Sequence, residues 1–142
     1  MTSGSISVLD ASVALKWVLP EKGREEALVI LDAFEAGTVQ LLAPHLFLEE
    51  IASALARRCR RKDLTADQAR EAFAFIEKRK PFQPAAPALL AQALSLATRH
   101  QISLWDALYL ALAIEYRCSL LTADRRMHTS ITRHYPFVEM IG

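Results

Sequence analysis

The sequence is poor in the residues that most often announce a site. Its 142 residues include only two cysteines. Cys59 and Cys118 have no C-x-x-C or Cys/His spacing, so a zinc site is not expected, and a disulfide framework is no better supported. The four histidines lack metal-ligand spacing as well, and His45 is the only one near a motif. No apolar run approaches the roughly 20 residues that span a bilayer. Met1-Thr-Ser-Gly-Ser5 lacks the basic region and apolar run of a signal peptide, so a cytoplasmic protein is expected. An excess of one charge is missing too: 17 basic and 16 acidic residues leave a net charge of +1. Repeats, low-complexity segments and linkers are absent, and one domain over residues 1–142 is expected.

What is present has the pattern of a globular core. Apolar residues make up 52% and charged residues 23% of the chain, which excludes general disorder. Ile6–Leu9 reads as a buried strand ending at Asp10. Val39–Ala43, Ser119–Thr122 and Phe137–Met140 read as further strands, the last at an edge. Helical spacing predicts segments over Val13–Leu19, Arg24–Ala36, Leu46–Lys62, Thr65–Glu77 and Ala88–Arg99. A sixth helix starts at Leu104. From Ala107 to Ile114 its side chains are all apolar apart from the Tyr109 hydroxyl, which places it inside the core. Pro81–Pro87 is a loop with room for a very short strand near Phe82. Short apolar strands alternating with helices predict an α/β fold with a mainly parallel sheet covered on both faces.

In such folds ligands bind beyond the carboxyl ends of the strands, near a switch in strand order. Asp10 follows Val8-Leu9, and Asp124 follows Leu120-Leu121-Thr122-Ala123. Asp106 opens the helix that precedes the second of these strands, so the three can gather on one rim. Asp106 has two readings. Ser103-x-x-Asp106 matches a capping box, and an acid in the first turn suits the helix dipole. Alternatively, Asp106 points with the other acids into a metal site. Crowded carboxylates repel one another unless a cation is present, and an oxygen-only set suits Mg²⁺ or Mn²⁺. Such an ion activates water and offsets charge on a phosphodiester. A phosphatase using Asp10 as nucleophile is rejected, because its second acid would stand where Ser12 does.

The motifs together resemble those of the PIN domain, and more narrowly of VapC-type toxins from toxin–antitoxin pairs. The residues that carry the resemblance are Val8-Leu-Asp10-Ala-Ser-Val-Ala-Leu-Lys-Trp17, Ala43-Pro-x-Leu46 with Glu50-Ile-Ala-x-Ala-Leu55, Leu104-Trp-Asp106-Ala-Leu-Tyr-Leu-Ala-Leu-Ala113 and Leu121-Thr-x-Asp124. The resemblance runs from about Ile6 to the C-terminus. It implies a three-layer α/β/α sandwich, Mg²⁺-dependent endoribonuclease activity with Mn²⁺ as a substitute, a small antitoxin partner and a homodimer. It also implies four acidic site residues, Asp10, Glu50, Asp106 and Asp124. Asp10 and Asp106 would be the principal metal ligands, while Glu50 and Asp124 would bind a second ion or position water. Helical phase does not separate Glu50 from Glu49; the Glu-Ile-Ala pattern selects Glu50.

Ser12 and Thr122 fit positions where a hydroxyl orients a carboxylate. A helix N-cap for Ser12 and a strand-end hydroxyl for Thr122 explain them equally well. Arg57–Lys62 and Lys78–Lys80 read as helix-end and solubilising charge, whereas Arg125 and Arg126 follow Asp124 and are the better candidates for RNA contact. Trp17 and Trp105 are expected to pack rather than to stack on bases. The competing reading is a catalytically silent RNA-binding or protein-interaction module on the same fold; loss of an acid would mark it, and all four are present.

Overall fold

The computed structural model describes residues 5–142. The reading of the N-terminus rests on Met1–Gly4, which lie outside the described residues. In chain order the elements are β1 (Ser5–Leu9), α1 (Ala11–Val18), α2 (Arg24–Glu35), β2 (Val39–Leu42), α3 (Phe47–Arg60) and α4 (Ala66–Lys78). They continue as α5 (Leu89–His100), α6 (Leu104–Tyr116), β3 (Ser119–Thr122), α7 (Arg125–Ile131) and β4 (Val138–Met140).

The strands form one sheet in the order β2-β1-β3-β4, and every neighbouring pair is parallel. Val8 stands opposite both Leu42 and Leu120, and Leu9 opposite Leu121. Parallel neighbours cannot be joined by hairpins, so helices carry the chain back over the sheet. From β1 the chain crosses to β2 on one side; from β3 it crosses to β4 on the other. The order therefore switches between β1 and β3, and a crevice opens beyond their carboxyl ends. Phe82 adds a single parallel bridge outside β2, donating its N–H to Leu41 O at 2.9 Å and accepting from Ala43 N–H at 3.0 Å. This is the short strand the proline-rich loop had room for.

The fold is the expected α/β/α sandwich. Helices α1 to α4 pack among themselves, α5 packs on α6, and α6 lies against β1 and β3. Burial of α6 takes in Ala107 and Tyr109–Ala113, so the helix is held inside by its whole circumference. Ile114 breaks the pattern at 38% exposure, one residue before the apolar run ends in Glu115. On α3, Phe47, Ile51 and Leu55 face inward, while Ala52, adjacent in sequence to Ile51 and turned by 100°, is exposed.

Local chemistry sets the helix ends. Asp10 takes the extended backbone of an N-cap (φ −71°, ψ 144°), so α1 starts at Ala11, two residues earlier than its apolar spacing predicts. Thr65 and Gln68 form the full reciprocal capping box of α4, with bonds of 3.1 and 2.9 Å. Past the end of α2, Gly37 adopts φ +78°, a left-handed turn that a side chain would strain. Trp17 is buried and donates its indole N–H to Ala27 O at 2.9 Å, pinning α1 to α2. Among the described residues no helix is long and apolar enough to cross a membrane.

Candidate functional site

Asp10 is one of few polar residues in the core, at 6% exposure. Its backbone completes the β1–β3 ladder, donating N–H to Leu121 O at 2.9 Å, so its side chain leaves the sheet where β1 and β3 end. Ser12 and Thr122 both donate their hydroxyl protons to Asp10 Oδ2, Thr122 at 2.9 Å. The same hydroxyl oxygens accept backbone protons from the neighbouring turn: Ser12 from Ala123 N–H at 2.9 Å, Thr122 from Asp124 N–H at 3.0 Å. Each hydroxyl has a single proton to give, and both protons go to the same oxygen. Oδ2 is thereby saturated and Oδ1 remains. Ser12 lies inside α1 rather than at its cap, so the helix-cap alternative for Ser12 is overturned. Thr122 is fully buried and bonded on both sides, which makes it a clasp between two chain segments.

Three further carboxylates surround this one. Glu50, in the first turn of α3, is half-buried, whereas Glu49 beside it is exposed. Tyr109, fully buried on α6, donates its hydroxyl to Glu50 Oε1 at 2.6 Å, and the Ala11 amide lies beside the same phenol. Asp106 stands in the first turn of α6, where its backbone N–H is taken by the Ser103 hydroxyl at 3.1 Å. The cap thus uses Ser103's side chain and Asp106's backbone. Asp124 does serve as a side-chain cap: its Oδ1 accepts from Met127 N–H at 3.1 Å and starts α7.

The acids feel one another. Burial pushes the Asp10 carboxyl up to about 6; the charges of Asp106 and Asp124 push the same way, and the hydroxyl bonds from Ser12 and Thr122 oppose them. Burial likewise raises Glu50 to about 7, opposed by the Tyr109 bond and reinforced by Asp10 and Asp106. Asp106 is raised by burial first and by Asp124 next, while the Ser103 hydroxyl and the charge of Arg126 pull it down. Arg126 is therefore brought to the rim with the acids. Arg125, the first residue of α7, is exposed beside it.

Among the described residues no three acidic, thiol or imidazole groups close into a ready-made cage. The donor set still fits one kind of ion. All donors are hard oxygens, Asp10 keeps an unsaturated oxygen, and the charges of the acids repel one another. Mg²⁺ holds several waters and takes only one or two carboxylates, so a loose rim suits it better than a cage.

Tyr109 is the site residue that sequence reasoning passed over. Its signal was faint: a lone hydroxyl in an otherwise apolar run. Trp105 is a correction. Expected to pack, it is 55% exposed, beside Asp106. A hollow of about 830 Å³ along the outer edge of β2, near Phe34 and Phe82, is lined by none of the four acids.

Residues 7–130 match the family described as PIN domain. Ribonuclease VapC3 of Pyrobaculum aerophilum is 33% identical over 125 residues, covering 84% of this chain and 90% of that protein. The fold matches VapBC2 from Rickettsia felis, solved bound to a DNA fragment from its promoter, with a TM-score of 0.65 and 15% identity over 96% of this chain and 97% of that one. It also matches Mycobacterium tuberculosis VapC20, described as a sarcin–ricin loop cleaving toxin, with a TM-score of 0.63 and 20% identity over 89% and 95% of the two chains.

Proposed function

This chain belongs to the PIN-domain family, in its VapC-type branch, and on that premise we propose that it is a metal-dependent endoribonuclease held in check by a small antitoxin protein. The observation that carries the reading is the placement of Asp10, Glu50, Asp106 and Asp124 around the carboxyl ends of β1 and β3, each close enough to shift or be shifted by another. A silent binding module would have no use for four acids gathered at one rim of the sheet.

Asp10 through Oδ1 and Asp106 through its carboxylate would hold Mg²⁺ or Mn²⁺, with Glu50 and Asp124 completing the acidic rim. When bound, the ion would supply an activated water and stabilise charge on the phosphodiester. The chain's own residues do the positioning. Ser12 and Thr122 fix the plane of the Asp10 carboxylate, and Tyr109 fixes Glu50. Arg126, exposed at the same rim, offers a cation to an RNA phosphate. The antitoxin assignment follows the VapC-type branch, and a small protein covering the rim would silence every one of these groups together.

The test is cleavage of structured RNAs with Mg²⁺, with Mn²⁺ and with EDTA. Cleavage is expected with either ion and none with EDTA. Asp10→Asn should lower the rate by roughly a hundredfold or more, beyond the 10–100-fold usual for losing an outer partner of a metal site. Glu50→Gln should slow turnover far more than Glu49→Gln. Cutting that survives EDTA, or that Asp10→Asn leaves intact, would overturn the proposal.

A further inference from the structure

Beside the acids lies a cleft of about 340 Å³ walled by Leu46, Glu49, Glu50, Ser53, Arg57 and Trp105. Five of these come from α3 or the residue that precedes it. Their spacing of three or four residues from Leu46 through Glu49 and Glu50 to Ser53 and Arg57 places them along one stripe of the helix. The opposing wall is the Trp105 indole, from the first turn of α6. Trp17 is 2% exposed and gives its N–H to the core, whereas Trp105 keeps 55% of its surface free.

We propose that Trp105, Ser53 and Arg57 form a subsite that holds one unstacked nucleobase of a single-stranded RNA next to the reacting phosphate. The proposal rests on the ribonuclease reading and adds a substrate-binding element to it. The cleft offers an aromatic plate for a base face, a hydroxyl for a base edge and a guanidinium for the adjoining phosphate. That combination is the one by which proteins hold single strands, with stacking largely indifferent to sequence. Continuity favours RNA over a peptide. Glu50 belongs both to this cleft and to the acidic set, so a strand lying in the cleft runs directly into the site. Arg57 also supplies positive charge in a cleft whose other ionisable walls are carboxylates. A paired base cannot enter, because both of its faces are already stacked.

Fluorescence tests this. In the Asp10→Asn background with Mg²⁺, so that bound RNA stays intact, tryptophan emission is followed as a short single-stranded oligoribonucleotide of mixed sequence is added. The comparison probes are the same strand annealed into a duplex and an abasic strand of equal length. The single strand is expected to quench emission and the other two to quench little. Trp105→Phe should remove most of the quenching while retaining part of the affinity. Trp105→Ala should weaken single-strand binding by roughly five- to a hundredfold, the usual range for one stacked base, without moving the melting temperature. Arg57→Ala should weaken the single strand and the abasic strand alike. Equal binding by Trp105→Ala and its parent, or equal affinity for the abasic strand, overturns the subsite and leaves the cleft to a protein inhibitor. Failure of the ribonuclease reading would show separately, as absence of Mg²⁺-dependent cleavage by the unsubstituted protein.

Discussion

At the scale of the residue, the decisive detail is that two hydroxyls spend their only protons on one oxygen. Thr122→Val keeps the volume of the side chain but deprives Asp10 Oδ2 of a donor and Asp124 N–H of an acceptor. A fully buried amide left unsatisfied costs about 1–3 kcal/mol; the Asp124 N–H is part-buried, so the variant should lose about 1 kcal/mol of stability. A carboxylate left with Ser12 as its one remaining hydroxyl donor should also bind Mn²⁺ about 10–100-fold more weakly, measured by titration calorimetry. Thr122→Ser should restore both. Unchanged Mn²⁺ affinity in Thr122→Val would make Thr122 a structural clasp and nothing more. The sequence exposed Asp10 because an acid directly after an apolar strand is conspicuous. It left Thr122 undecided and Tyr109 unnoticed, because a hydroxyl acquires meaning only from its partner. Those partners lie 112 and 59 residues away along the chain.

At the scale of the element, the start of α6 carries two functions that can be separated by substitution. Ser103 caps the helix by accepting the Asp106 N–H, while the Asp106 carboxylate faces the other acids. Ser103→Ala should therefore destabilise the protein by about 0.5–2 kcal/mol in EDTA and Mn²⁺ alike. Asp106→Asn should be as stable as the parent in EDTA, or more so, since a repelling charge has gone. On the proposed metal reading it should lose most of the stabilisation that Mn²⁺ would give the parent, about 2.7 kcal/mol at a hundredfold excess over Kd. Thermal melts of the three proteins under both conditions suffice. A Mn²⁺-induced shift undiminished in Asp106→Asn would return Asp106 to a capping role. The elements themselves were readable from apolar spacing, and their errors are local. The start of α1 moved because Asp10 imposes an extended backbone, and Trp105 was misjudged because an aromatic in a helix's first turn can point past the core.

At the scale of the whole molecule, the raised carboxyls tie stability to pH. Asp10 and Glu50 have ordinary values of 3.8 and 4.5 and are held at about 6 and 7 in the folded protein. Between those limits the folded state binds more protons than the unfolded one, so this pair's contribution to stability is full at low pH and is lost as pH rises towards about 7. Binding of the proposed ion would need the deprotonated carboxylates, so its contribution would grow over the same interval. The melting-temperature gain from Mn²⁺ should accordingly be small near about pH 5 and large above about pH 7, and Asp10→Asn should flatten the trend. A gain that stays constant across that interval would show that these groups are not linked to the ion. The parallel sheet was legible because buried strands alternate with helices in the sequence. The strand order was not, and it has a consequence for how the protein is made. Asp10 is synthesised well ahead of its clasp on β3, which comes 112 residues later. At about 5–20 residues per second, a ribosome needs on the order of ten seconds to bring the two together. A nascent chain or an aborted fragment ending before β3 carries Asp10 but no assembled rim, so the four acids come together only after β3 and the turn that follows it have left the ribosome.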